Sequence, residues 1–139
     1  MQSEKNLWGN LPSLTNLHTP FTTLKQQAMM LGKMTNGLLV GEVLRDQRSQ
    51  DFIARLRINV PALNGYTYNV LEVNYPAELY PLKITDLTGD LGKAIPCASE
   101  EEFEQVLGNI LASEPVRRVV TTLLVDLQAE TAEERSTWQ

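Results

Sequence analysis

The sequence predicts an α+β domain: a four-stranded antiparallel meander with one N-terminal helix and two C-terminal helices packed on one face. Three observations predict it. Four segments between residues 38 and 86 read as strands separated by short connections, and short connections make neighbouring strands antiparallel. Apolar residues recur at three- and four-residue steps before and after those strands, so each helix carries a single apolar stripe. Helices of that kind cover one face of a sheet and leave the other partly open.

The 139 residues suffice for one domain. We place it at 19–129, between an irregular N-terminal arm at 1–18 and an acidic flexible tail at 130–139. A chain of this length buries roughly 68–70% of the surface it exposes when unfolded, so no disulfide or metal staple is required. Cys97 is the single cysteine. No apolar run reaches the ~20 residues of a spanning helix, and MQSEKNLWGN lacks a signal-peptide core. A cytoplasmic protein that does not enter a membrane is expected. The net charge of −5, with 17 acidic and 12 basic residues, disfavours nucleic acid, whose recognition starts from a basic footprint. Arg117-Arg118 is the only basic doublet.

In the arm, Leu7, Leu11, Leu14 and Leu17 fall near helical spacing, but Gly9 and Pro12 interrupt a helix. The arm is expected to lay Trp8 and its leucines on the body, or else to bind a partner. Thr19 is a good N-cap and Pro20 is preorganised for the first helical position. Phe21, Leu24, Ala28 and Leu31 form the stripe that follows, flanked by Met30 and Met34, which are expected to fill core. Asn36-Gly37 supplies the stop.

The first strand spans 38–46 and turns through DQRSQ. In the second, 52–60, Phe52, Ala54, Leu56, Ile58 and Val60 share one face, and Ile53, Arg55, Arg57 and Asn59 the other. Asn64-Gly65 returns the chain into the third strand, 66–75. The favoured register puts Leu56 opposite Leu71, Ala54 opposite Val73, Phe52 opposite Tyr75 and Arg55 opposite Glu72. Strict alternation then places Tyr66, Tyr68 and Val70 on the outer face with Arg55 and Arg57. After the fourth strand, 82–86, LTGDLGKAIPCA reads as a loop. Ser99 and Glu102 form a capping box for the second helix, whose stripe is Phe103, Val106, Leu107, Ile110 and Leu111. Glu114-Pro115 restarts the chain as a third helix with Val116, Val119, Val120, Leu123, Leu124 and Leu127 on its stripe.

Between the third and fourth strands stand two aromatic–proline pairs, Tyr75-Pro76 and Tyr80-Pro81, separated by AEL. With this order of elements, that corner resembles the ubiquitin-conjugating-enzyme-like group, above all its non-catalytic RWD members. The likeness covers residues 20–129 in element order and about fifteen positions in detail, and the spacing between the pairs is about one residue longer than in the conjugating enzymes. The catalytic pattern is missing. No His-Pro-Asn triplet precedes Cys97, His18 lies in the arm, and Cys97 follows Pro81 by only 16 positions.

No other chemistry stands out. One histidine and one cysteine do not make a zinc site, Gly89 and Gly92 lack the context of a phosphate cradle, and Asp86 and Asp90 read as turn formers. No cofactor is expected. The expected function is non-enzymatic protein–protein interaction, as an RWD-like domain or small assembly subunit, through Arg55, Arg57, Tyr66, Tyr68, Val70 and, in the arm, Trp8. The partner is another protein or a second copy. Two alternatives are a small acidic chaperone or immunity protein that masks a partner, and a conjugating enzyme acting through Cys97.

Overall fold

Thr19 caps the first helix. The computed structural model describes residues 5–11, 18–88 and 93–137, with 131–137 described by backbone alone. Helix α1 is Pro20–Met34, and a reciprocal cap closes its start: Thr19 Oγ1 accepts the Thr22 N–H at 3.1 Å while Thr22 Oγ1 accepts the Thr19 N–H at 3.0 Å. At the other end Asn36 (φ 53°) and Gly37 (φ 80°) take the left-handed conformation that the pair favours. The Thr35 hydroxyl accepts the Leu39 N–H at 3.1 Å, which ties the helix end to the first strand.

Strands β1 (Val40–Arg48), β2 (Asp51–Val60), β3 (Tyr66–Tyr75), β4 (Leu82–Asp86) and β5 (Ala94–Cys97) form one antiparallel sheet in sequence order. The fold class is α+β as expected, but the sheet has five strands, not four. The segment read as a loop holds β5, which pairs Leu82 with Cys97 and Ile84 with Ile95. The alternation signal was too short to see over four residues, and Pro96 argues against a strand anywhere except at an edge. β5 is an edge, where the missing donor is tolerated.

The register between β2 and β3 agrees with expectation over half its length. Leu56 pairs with Leu71, Arg55 with Glu72, Ala54 with Val73 and Phe52 with Tyr75. The Phe52 and Tyr75 rings lie 5.5 Å apart, tilted by 35°. Beyond Leu56 the register shifts: Arg57 pairs with Asn69, so Val70 is an extra residue in a β-bulge. Val70 and Leu71 are consecutive yet both buried, at 2% and 0% exposure.

Helix α2 is Glu100–Leu111 and α3 is Glu114–Thr137. Ser99 Oγ caps α2 by accepting the Glu102 N–H at 3.2 Å. The Glu102 carboxylate reaches back to the Ala98 N–H at 2.6 Å, one residue further than a capping box requires. The backbone of α3 is helical over residues 130–137, where the sequence reading places a tail. Leu24 and Ala28 of α1, Phe103, Leu107 and Ile110 of α2, and Val116, Leu123 and Leu127 of α3 belong to one core with Ala54, Leu56, Leu71 and Val73 of the sheet.

Candidate functional site

The bulge divides the surface expected from the sequence. Tyr68 pairs with Ile58 and Tyr66 with Val60, both core-facing residues of β2. Tyr68 therefore packs half-buried against the core, Tyr66 stays exposed beside it, and Val70 is part of the core. None of the three shares the outer face with the arginines. One inserted residue reverses the alternation for the remainder of β3.

The arginines stay on the outer face and are neutralised there. Arg57 Nε donates to Glu42 Oε1 at 2.7 Å, and Asn59 Nδ2 donates to the other oxygen at 3.1 Å. Arg55 lies 3.7 Å from Glu72 Oε1. Ile53, two residues before Arg55 on the same alternation, is buried but outside the main core. A face whose cations are already paired offers a partner's carboxylates little that is new. Trp8 is 85% exposed, with Leu7 and Leu11 at 83% and 76%, so these three do not lie on the body. Leu14 and Leu17 lie outside the described residues.

A different surface emerges on the helical side. α1 packs chiefly on β1, with Gly41 giving it close approach at Ala28, while α2 packs on β4 and β5. The middle of the sheet is left between them as an apolar cleft of about 550 Å³. Met30, Leu31 and Met34 of α1 form one wall, Leu111 of α2 with Val116 and Val120 of α3 the other, and Leu56, Ile58 and Val70 lie at its base. Arg117 borders it. Met30 and Met34 are 50% and 80% exposed. The expectation that they fill the core is therefore corrected: they lie off the Leu24–Ala28 stripe, and that offset was the available signal. A concave apolar site in the usual size range for ligand recognition, edged by pliable thioether side chains, can take an apolar segment of variable shape.

Reactive groups elsewhere are subdued. Cys97 is buried; burial first, and then the Glu102 carboxylate, push its thiol above the ordinary cysteine range. Tyr80 is likewise raised by burial and by the negative charges of Glu100, Glu104 and Cys97. Asp86 Oδ1 accepts from the N–H and hydroxyl of Thr88 at 2.8 and 2.6 Å, a turn-forming arrangement. Asp90, its counterpart in the sequence, lies outside the described residues. Among the described residues no three His, Cys, Asp or Glu side chains gather into a metal site. No helix there is long and apolar enough to cross a membrane.

Fold and site together define an α+β protein whose five-stranded antiparallel sheet carries an open apolar cleft among its helices. No family model, curated protein or solved structure matches the chain.

Proposed function

We propose that this chain is a non-enzymatic protein-interaction domain of RWD-like type, and that it receives an apolar segment of a protein partner in the cleft between α1 and α2–α3. The observation that carries this reading is the pairing of a concave apolar site with two exposed methionines at its rim, Met30 and Met34. Methionine on a surface costs solvation and gains adaptability, a combination found where one groove must fit a flexible peptide. The three helices act together in this reading: all cover the same face of the sheet, and their separation forms the groove. The corner Tyr75-Pro76-Ala-Glu-Leu-Tyr80-Pro81 and the element order support the RWD-like assignment, with β5 as an addition. The buried, unactivated thiol of Cys97 supports a protein without thiol chemistry, and lone-cysteine usage fits a cytoplasmic setting.

Site-specific photocrosslinking in cells tests the reading. A crosslinker at Met34 should give a discrete protein adduct mapped to an apolar segment, and one at Glu42 on the outer face should give none. Adducts from Glu42 and none from Met34 would reject it.

A further inference from the structure

We infer that the segment received in the cleft is the N-terminal arm of a second copy of this chain, with Trp8 inserted between α1 and α3; this rests on the reading of the cleft as a docking site. Among the described residues, two apolar features match in kind. One is the cleft. The other is the run Leu7, Trp8 and Leu11, whose side chains are all at least three-quarters exposed. Within a single chain they do not meet, since no residue of 5–11 lines the cleft and Trp8 remains in solvent.

The arm is shaped to present its indole. Asn6 Oδ1 accepts the Trp8 N–H at 3.0 Å and Asn6 Nδ2 donates to the Gly9 carbonyl at 3.3 Å, while Gly9 takes φ +74°. That side-chain-stabilised turn holds Trp8 at its tip, so less conformational freedom is lost on docking. A tryptophan held in this way is the kind of anchor that fills a central pocket.

Reciprocity follows from identity. Each copy brings one arm and one cleft, so two copies exchanging arms satisfy both features twice and close with two-fold symmetry. The area is sufficient. An aromatic side chain buries about 150–250 Å²; with two leucines, each arm contributes on the order of 500 Å². The two arms together bring about 1,000 Å² before the smaller walls of the two clefts are added, which clears the size of a specific interface.

Sedimentation of the full-length chain over a concentration series tests this, in a Trp138→Phe background so that emission reports Trp8 alone. The expected result is a species of twice the monomer mass at high concentration, with Trp8 emission shifting to shorter wavelength as it forms. Trp8→Ala with Leu11→Ser, and separately Met34→Glu, should each abolish the dimer while leaving the far-ultraviolet circular dichroism unchanged. Three outcomes overturn the inference. A dimer lost in Met34→Glu but kept in the arm variant means that another segment fills the cleft, and the docking reading survives. A dimer kept in both variants puts the contact elsewhere. A monomer at every concentration with Trp8 emission already blue-shifted means that the arm docks in its own cleft.

Discussion

Gly41 of β1 lies so close to Ala28 of α1 that a methyl group on the glycine would fall 2.5 Å from the Ala28 Cα and 2.7 Å from its carbonyl oxygen. This contact seats α1 over the β1 side of the sheet, which is why its far side, with Met30 and Met34, borders an open cleft.

Gly41→Ala should therefore lower stability by about 1–3 kcal/mol, the usual cost of overpacking. The opposing atoms belong to backbone as well as side chain, so rotamer changes cannot relieve the clash. Urea midpoints measure the effect, and an unchanged midpoint would mean that α1 is not seated at this glycine.

The bulge makes a prediction that a regular strand does not. Leu71→Ala should cost about 2–5 kcal/mol and Val70→Ala about 1–3 kcal/mol, because both neighbours are buried. Tyr68→Ala should cost more than Thr67→Ala, since Tyr68 packs on the core and Thr67 is exposed. Denaturation midpoints that alternate along 70 and 71, with only one of them sensitive, would remove the bulge.

Ser49 holds φ at 59° in the two-residue turn between Arg48 and Asp51. A left-handed conformation is unfavourable for a residue with a Cβ and natural for glycine at the first position of such hairpins. Ser49→Gly should raise stability by about 0.5–1 kcal/mol, net of the backbone entropy that glycine adds to the unfolded chain. A fall in the melting midpoint would contradict the turn geometry.

Alkaline pH should destabilise the fold. The folded state holds the Cys97 proton to higher pH than the unfolded chain does, because burial and Glu102 disfavour the thiolate. From about pH 8.5, the ordinary cysteine value, the unfolded state binds fewer protons and stability falls as pH rises. Tyr80 adds a fall of the same sign above about pH 10. Cys97→Ala should flatten the first part of the urea-midpoint profile between those values while lowering it throughout. Iodoacetamide should label the wild-type thiol slowly near neutral pH and faster as urea is added. Rapid labelling of the folded protein would return thiol chemistry to consideration.

Much of the architecture was legible because its signals were local and long. The start of α1 was written in Thr19-Pro20, its stop in Asn36-Gly37, and the pairing of Leu56 with Leu71 in ten residues of alternation. β5 was not legible: four residues containing a proline carry too little pattern, and only pairing with β4 makes Ala94–Cys97 a strand. The candidate site was misread for a different reason. YTYNV alternates as faultlessly as LEVNY, but the two runs are out of phase: apolar Val70 is followed directly by apolar Leu71, and that doublet is the trace of the residue added opposite the step from Leu56 to Arg57. The cleft also depends on a distance between helices, which is a tertiary quantity. Its sequence trace was only that Met30 and Met34 stand off the buried stripe.

Val70 also sets how this gene can vary. Exchanging one side chain for another at that position alters packing in one place. Losing its codon would rejoin the two halves of β3 in unbroken alternation and leave every other pair in place, Asn69 with Arg57, Tyr68 with Ile58 and Tyr66 with Val60. What would go is the bend of the bulge and one apolar side chain from the base of the cleft. A homologue one residue shorter along β3 should therefore lack this position, with both tyrosines still on the core side.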